Sequence, residues 1–412
     1  MRRANTTRAN MIHGNAIALV MSCATLLFGL GCGGSGGSSS QHTTITTTGS
    51  NVQPITVNAG PDGNYTNGAF TSVTVCVPGS STCQTIDDVL VDTGSSGLRI
   101  LSSVLTIALP QQKASDGNSI VECLPFVSGY TWGPVQSADV KISGESASSV
   151  PVQVLSDTDF PVPSACSDQG TSQDTLSALG ANGLLGVGNF VQDCGGACVS
   201  TGADNPELYY ECPSSGCVVT AESLASQVVN PVALFAADNN GVILELPAVS
   251  SPAASLTGSM VFGIGTQSNN GLNGASVYTT DDFGNFTTTY NNQSYNQSFL
   301  DSGSNGLYFL TSGATGIAVC PDAPFFYCPP STQNLSATNE GTNGTSGAVS
   351  FSVANADDLF NDNPNAFVFV NLAGPNSLAG FDWGLPFFYG RNVYTAIGGK
   401  STPGGTGPYW AY

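Results

Sequence analysis

Two aspartates head matching runs of residues, one in each half of the chain. Leu90-Val91-Asp92-Thr93-Gly94-Ser95-Ser96-Gly97-Leu98-Arg99-Ile100 and Phe299-Leu300-Asp301-Ser302-Gly303-Ser304-Asn305-Gly306-Leu307-Tyr308-Phe309 share one pattern. Aligned on the Asp, both read apolar, Asp, Thr or Ser, Gly, Ser, polar, Gly, Leu, any residue, apolar. A lone Asp-Ser-Gly turn carries little information in a chain with 50 glycines. Two extended copies at half-chain separation point to an internal repeat. An Asp at a strand end, followed by a small hydroxyl residue and Gly, makes a tight turn that projects the carboxylate. The hydroxyls of Thr93, Ser95, Ser302 and Ser304 are placed to donate to neighbouring carboxylates. If the two turns meet, both carboxyls cannot ionise comfortably, so they share a proton and titrate as a pair. One is then a base toward a trapped water, the other an acid toward a substrate carbonyl.

Elimination narrows the chemistry further. The only histidines are His13 and His42, both ahead of the folded body. Ser-His-Asp triads, Cys-His dyads and His-ligated metals are therefore excluded there. Lys113, Lys141 and Lys400 sit in no nucleophile or phosphate-loop motif. No metal and no organic cofactor is implied. With 28 Asp and Glu against 8 Lys and Arg, no basic stripe can form, so nucleic acid is not expected as a partner.

The elements that must carry the aspartates read as all-β. Hydrophobic residues make up 41% and charged residues 9%, with Gly, Ser, Thr and Asn filling the difference. At 412 residues the chain suits two lobes rather than one core. Strands are predicted over Thr71–Val77, Asp88–Val91, Asp139–Ile142, Val152–Leu155, Val242–Leu246, Met260–Phe262, Ala348–Val353 and Ala366–Val370. Helix is predicted over Thr220–Val229, with a short turn at Leu176–Leu179. Predicted lobes run over 51–228 and 229–412.

At these residues the chain resembles the pepsin-like aspartic proteases. Val91-Asp92-Thr93-Gly94-Ser95-Ser96 is similar to their first catalytic signature, and Leu300-Asp301-Ser302-Gly303-Ser304 to the second. Gly183-Leu184-Leu185-Gly186-Val187-Gly188 resembles the segment that completes the first lobe's active-site fold, and 384–397 its counterpart. The resemblance implies two β-barrel lobes about a central cleft, catalytic Asp92 and Asp301, and an extended peptide or protein substrate. Several positions depart from the family pattern. Arg99 stands where a large aromatic is usual. The flap Tyr is replaced: flap glycines align with Gly129 and Gly133 and put Phe126 there, with Tyr130 and Trp132 as further flap candidates or as hairpin packing. Asp382-Trp383-Gly384 is less apolar than usual, and the polar run 331–347 looks like an insertion.

Residues 1–31 read as an export signal: Arg2, Arg3 and Arg8 precede an apolar run from Ile17 to Leu30 that is short for a membrane span. Gly31-Cys32 and the Gly/Ser/Thr stretch of 32–50 resemble a lipidated Cys with a flexible tether. Over its full length the chain also resembles a bacterial lipoprotein-like family. A periplasmic or outer-membrane lipoprotein is therefore expected, monomeric and touching the membrane only through Cys32. Ten cysteines follow Cys32, an even number that suits an oxidising compartment and short loop-closing disulfides. Two functions fit: an aspartic endopeptidase, and a catalytically silent protein holding a peptide or glycan in the cleft.

Overall fold

The structure, a computed structural model, describes residues 44–156 and 159–412. The export signal, Cys32 and the linker as far as residue 43 lie outside the described residues. The linker touches the body at two points among its described residues: the Thr46 N–H donates to Glu245 Oε2 at 2.5 Å, and the Ser50 carbonyl accepts from the Gly144 N–H. No helix among the described residues is long and apolar enough to cross a membrane.

Alternating Val, Ile and Thr residues build the first lobe. In Gly68–Cys76, Val73 and Val75 turn inward while Ser72 and Thr74 are half-buried. That strand pairs antiparallel with Cys83–Asp92. Cys83–Asp92 runs parallel to Gly183–Val187, with Asp92 opposite Gly186. Ser96–Leu101 returns antiparallel along the other edge of Gly183–Val187. The 92–96 turn therefore wraps one strand that both of its arms pair with.

The second lobe repeats this connectivity. Phe286–Tyr290 pairs antiparallel with Gln293–Leu300, which runs parallel to Asp382–Trp383. Leu307–Phe309 pairs antiparallel with the same Asp382–Trp383. The first lobe's sheet continues into the second half of the chain: Val52–Asn58 pairs on one edge with Gly68–Cys76 and on the other with Leu256–Phe262, which continues through Gly241–Leu246 to Arg391–Ala396. The architecture is all-β, with barrel-like sheets in two lobes: the bilobal pepsin-like fold.

Two local expectations are corrected. Residues 220–229 form turns rather than a helix, because the Gln227 side chain bonds Gly195 and the Glu222 carbonyl, and the Val228 N–H bonds Tyr209 Oη. Ala366–Val370 is not a strand: the Asn67 side chain brackets Phe369, leaving one bridge from Val368 to Ala253. The polar run 331–347, which looks like an insertion, mostly forms the hairpin of Gln333–Glu340 with Ser346–Val353. The sequence reading also missed a helix, Ala356–Asp362, capped by Asn355 accepting from the Asp358 N–H.

The ten described cysteines form five disulfides. Four close short loops: Cys76–Cys83, Cys194–Cys198, Cys212–Cys217 and Cys320–Cys328. The fifth, Cys123–Cys166, spans 43 positions. Loop entropy makes it the most stabilising. Replacing both of its cysteines by Ser is expected to cost about 3–4 kcal/mol, against about 2 for the shortest loop. Denaturant unfolding of both pairs of variants checks this ranking, and the reverse order contradicts it.

Candidate active site

The two Asp turns meet where the lobes join. The Thr93 N–H donates to Ser302 Oγ (3.1 Å) and the Ser302 N–H to Thr93 Oγ1 (3.0 Å). Thr93 Oγ1 donates to the Leu300 carbonyl and Ser302 Oγ to the Val91 carbonyl. These two hydroxyls thus do not support the carboxylates directly, as the sequence led us to expect. At a buried junction the strand-end carbonyls need donors, and Thr93 and Ser302 supply them from the opposite lobe. The result locks the turns against each other.

The carboxylates are held by the next residues along. Asp92 Oδ1 accepts from the Gly94 N–H (2.7 Å), and Oδ2 from Ser95 Oγ. Asp301 Oδ1 accepts from the Gly303 N–H (2.8 Å), and Oδ2 from Ser304 Oγ (3.0 Å). Each carboxyl also lies against the other turn. A Cβ on Gly94 would sit 2.6 Å from Asp301 Cγ, and one on Gly303 2.8 Å from Asp92 Oδ1. Glycine is required at both places by this approach. Burial, the charge of Asp301 and a hydrogen bond to Asp301 push Asp92 well above the usual carboxyl range, while Ser95 and Gly94 pull it down. Such a pair holds one proton between two carboxyls.

Asp382 lies beside the second Asp turn. It faces Phe299 in the second lobe as Leu184 faces Leu90 in the first. Its Oδ2 lies 2.7 Å from Ser304 Oγ, which places that hydroxyl between Asp382 and Asp301.

Tyr65 is a neighbour that no motif marked. Its ring stands edge-on to Phe70, at 5.4 Å between centroids. Burial, then Asp301, then Asp92 push its phenol upward, so it lies within electrostatic reach of both acids. With Ser177 from the first lobe and Asn305 and Phe326 from the second, it lines a cavity of about 360 Å³.

The flap candidates separate. Ser119–Phe126 and Gly129–Ile142 form a hairpin in which Cys123 faces Trp132 and Pro125 faces Tyr130. Strand alternation sends Tyr130 and Trp132 to one face, where they pack with Cys123, Cys166 and Tyr210. Trp132 Nε1 donates to the Phe160 carbonyl. Phe126 points to the other face and packs on the cluster of Phe70, Leu90 and Leu184 beside the Asp92 strand. Of the three, Phe126 alone is packed on the Asp92 side.

Arg99 is fully buried and meets two acids. Its Nη2 lies 2.8 Å from Glu122 Oε1 and 2.9 Å from Asp193 Oδ2. Tyr209 Oη donates to Asp193 Oδ1. The cation ties the Asp92 turn to the hairpin and to the 190s loop. One cation against two acids leaves an excess: burial, then Glu122, push Asp193 well above the usual carboxyl range.

These shifts set how stability responds to pH. Burial also raises Glu145, Asp174, Glu222 and Glu245, whereas Asp116 shifts downward through its hydrogen bonds. A carboxyl with a raised folded pKa binds its proton more tightly in the native state. Stability therefore falls as pH rises from the unfolded value of about 4 through the raised folded values. The denaturation midpoint is expected to be higher in mild acid than at pH 7, and a midpoint that climbs toward neutrality contradicts this.

Among solved structures, the chain is similar to the crystal structure of an aspartic proteinase from Irpex lacteus. The match has 14% identity and a TM-score of 0.49, over 87% of this chain and 96% of that one. No curated protein matches the chain. A family model described as "Protein of unknown function (DUF3443)" matches residues 47–412, and the chain belongs to that family.

Proposed function

We propose that the chain is an aspartic endopeptidase of the bacterial cell envelope. The observation that carries this reading is the reciprocal seating of Asp92 and Asp301, each carboxyl against the other's turn. With one proton between them, the ionised carboxyl takes a proton from a water bound at the pair. The protonated carboxyl gives its proton to the carbonyl oxygen of the scissile amide as the water oxygen bonds to the carbonyl carbon. Collapse of the resulting diol returns a proton through the pair to the leaving amine, and the C–N bond breaks. Thr93, Gly94, Ser95, Ser302, Gly303 and Ser304 hold the geometry, and neither metal nor organic cofactor takes part.

Export through residues 1–31 and lipidation at Cys32 complete the proposal, with the protein a monomer in the periplasm or on the outer membrane. Five disulfides support an oxidising compartment. Purified protein would be incubated with a diverse peptide pool from about pH 3 to 7, the range over which carboxyls titrate. Cleavage sites are read by mass spectrometry beside folded Asp92→Asn and Asp301→Asn variants. Cleavage by the wild type alone supports the reading; cleavage that survives in both variants contradicts it.

One observation favours a catalytically silent protein that holds a peptide or glycan. The hairpin over the first lobe is braced on both edges, by Tyr209–Cys212 and by the Tyr130–Ser172 bridge, and is tied by Cys123–Cys166. Such a hairpin has little freedom to close on a substrate. Folded wild type that binds peptides and cleaves none would establish this second reading.

A further inference from the structure

The second lobe has a cavity away from the Asp pair. It occupies about 440 Å³ between the hairpin of Gln333–Glu340 with Ser346–Val353 and the segment 383–391. Leu335 and Phe351 face each other across that hairpin and turn toward the core, yet both stay half-exposed. Opposite them stand Trp383, Phe387 and Tyr389, each almost fully buried. These apolar and aromatic side chains share the lining with Asn334, Ser336, Ser350 and Ser352 of the hairpin, so the walls are mixed, with an apolar stretch around Leu335 and Phe351 left partly uncovered.

Arg391 joins this lining. Its guanidinium lies 4.4 Å from the centroid of the Phe387 ring, and Nη1 donates to the Phe387 carbonyl. Among the described residues no carboxylate lies within 4.0 Å of it, whereas Arg99 has two. That isolation is notable in a chain with 28 acids and 8 basic residues. A half-buried guanidinium with one of its five N–H donors committed has capacity for an anion. Desolvation without a counter-charge is costly, and a carboxylate taken bidentately offsets that cost.

We infer that this cavity binds a small amphipathic carboxylate, its anionic head on Arg391 and its apolar body against Leu335, Phe351 and Trp383. A single guanidinium with no Lys among the lining residues suits one negative charge better than a phosphate. The volume falls at the small end of ligand sites, enough for an acyl or aryl body of about ten carbons. No member of the Asp pair or its turns lines the cavity, so the inference stands apart from the peptidase reading.

Calorimetric titration of the purified protein with sodium decanoate at pH 7, below micelle formation, tests it. Saturable one-to-one binding is expected, weakened about tenfold or more in Arg391→Gln and partly restored in Arg391→Lys. Decan-1-ol, with the same chain and no charge, is expected to bind about tenfold more weakly or worse. Leu335→Trp fills the cavity and keeps Arg391, so it abolishes binding and serves as the deciding variant if Arg391→Gln fails to fold. Asp92→Asn leaves decanoate binding unchanged. The inference is overturned by no saturable binding, by full binding to folded Arg391→Gln or Leu335→Trp, by equal binding of the alcohol, or by loss of binding in Asp92→Asn.

Discussion

Replacing Asp92 or Asp301 by Asn is expected to lower kcat for peptide hydrolysis by about a thousandfold to ten-thousandfold. The amide keeps the shape of the carboxyl and can still accept from the Gly94 or Gly303 N–H. What it cannot do is hold or release the proton that the pair exchanges with water and substrate. Because the two acids act as a unit, the double variant is expected to be little worse than either single one. Asp92→Asn should also stabilise the protein at neutral pH. Burial and the charge of Asp301 make an ionised Asp92 costly in the folded state, and the neutral amide removes that cost. Steady-state kinetics with a cleaved peptide, run beside denaturant unfolding, reads both effects. Loss of activity with an equal loss of stability would instead mean that the variants simply misfold.

Arg99→Met is expected to destabilise the protein by about 3–5 kcal/mol at pH 7, among the largest effects of any single change here. Met fills comparable space but leaves Glu122 and Asp193 buried without their cation. The sign of the pH dependence follows from Asp193, which burial and Glu122 push above the usual carboxyl range. In acid it takes up a proton and no longer needs a counter-charge, so the gap between variant and wild type should shrink as pH falls. Adding Glu122→Gln to the Met background should recover part of the loss at pH 7 for the same reason. Denaturant unfolding of the three proteins at pH 7 and in mild acid measures this. A gap that stays constant with pH would mean that Arg99 acts through packing alone.

Both of these effects concern residues visible in the sequence, but not equally so. The Asp92 and Asp301 turns were legible because each is a compact local motif and the motif occurs twice. Their interlock was half legible. The hydroxyls of Ser95 and Ser304 reach the carboxylates as their spacing implies. Those of Thr93 and Ser302 serve the other lobe, a relation between residues 209 positions apart that local spacing does not encode. Arg99 was visible as an anomaly, yet its partners lie 23 and 94 positions away and carry no motif. Among the flap candidates, strand alternation separates Phe126 from Tyr130 and Trp132 only once the hairpin register is known. The failed helix at 220–229 lost its backbone partners to the Gln227 side chain and Tyr209, tertiary contacts that outweigh propensity. Tyr65 left no signal at all, since an isolated Tyr near a run of turns is ordinary in such a chain.

Carboxyl carbon NMR of protein labelled at aspartate, titrated with wild type beside Asp301→Asn, tests the shared proton most directly. In the wild type, Asp92 should titrate well above the ordinary carboxyl value of about 4, in a step coupled to Asp301. In Asp301→Asn the partner's charge is gone, so Asp92 should move back down toward that value while burial holds it partly raised. Titration of Asp92 near the ordinary value in the wild type, unchanged by the substitution, would show that no proton is shared and that the pair cannot activate water as proposed.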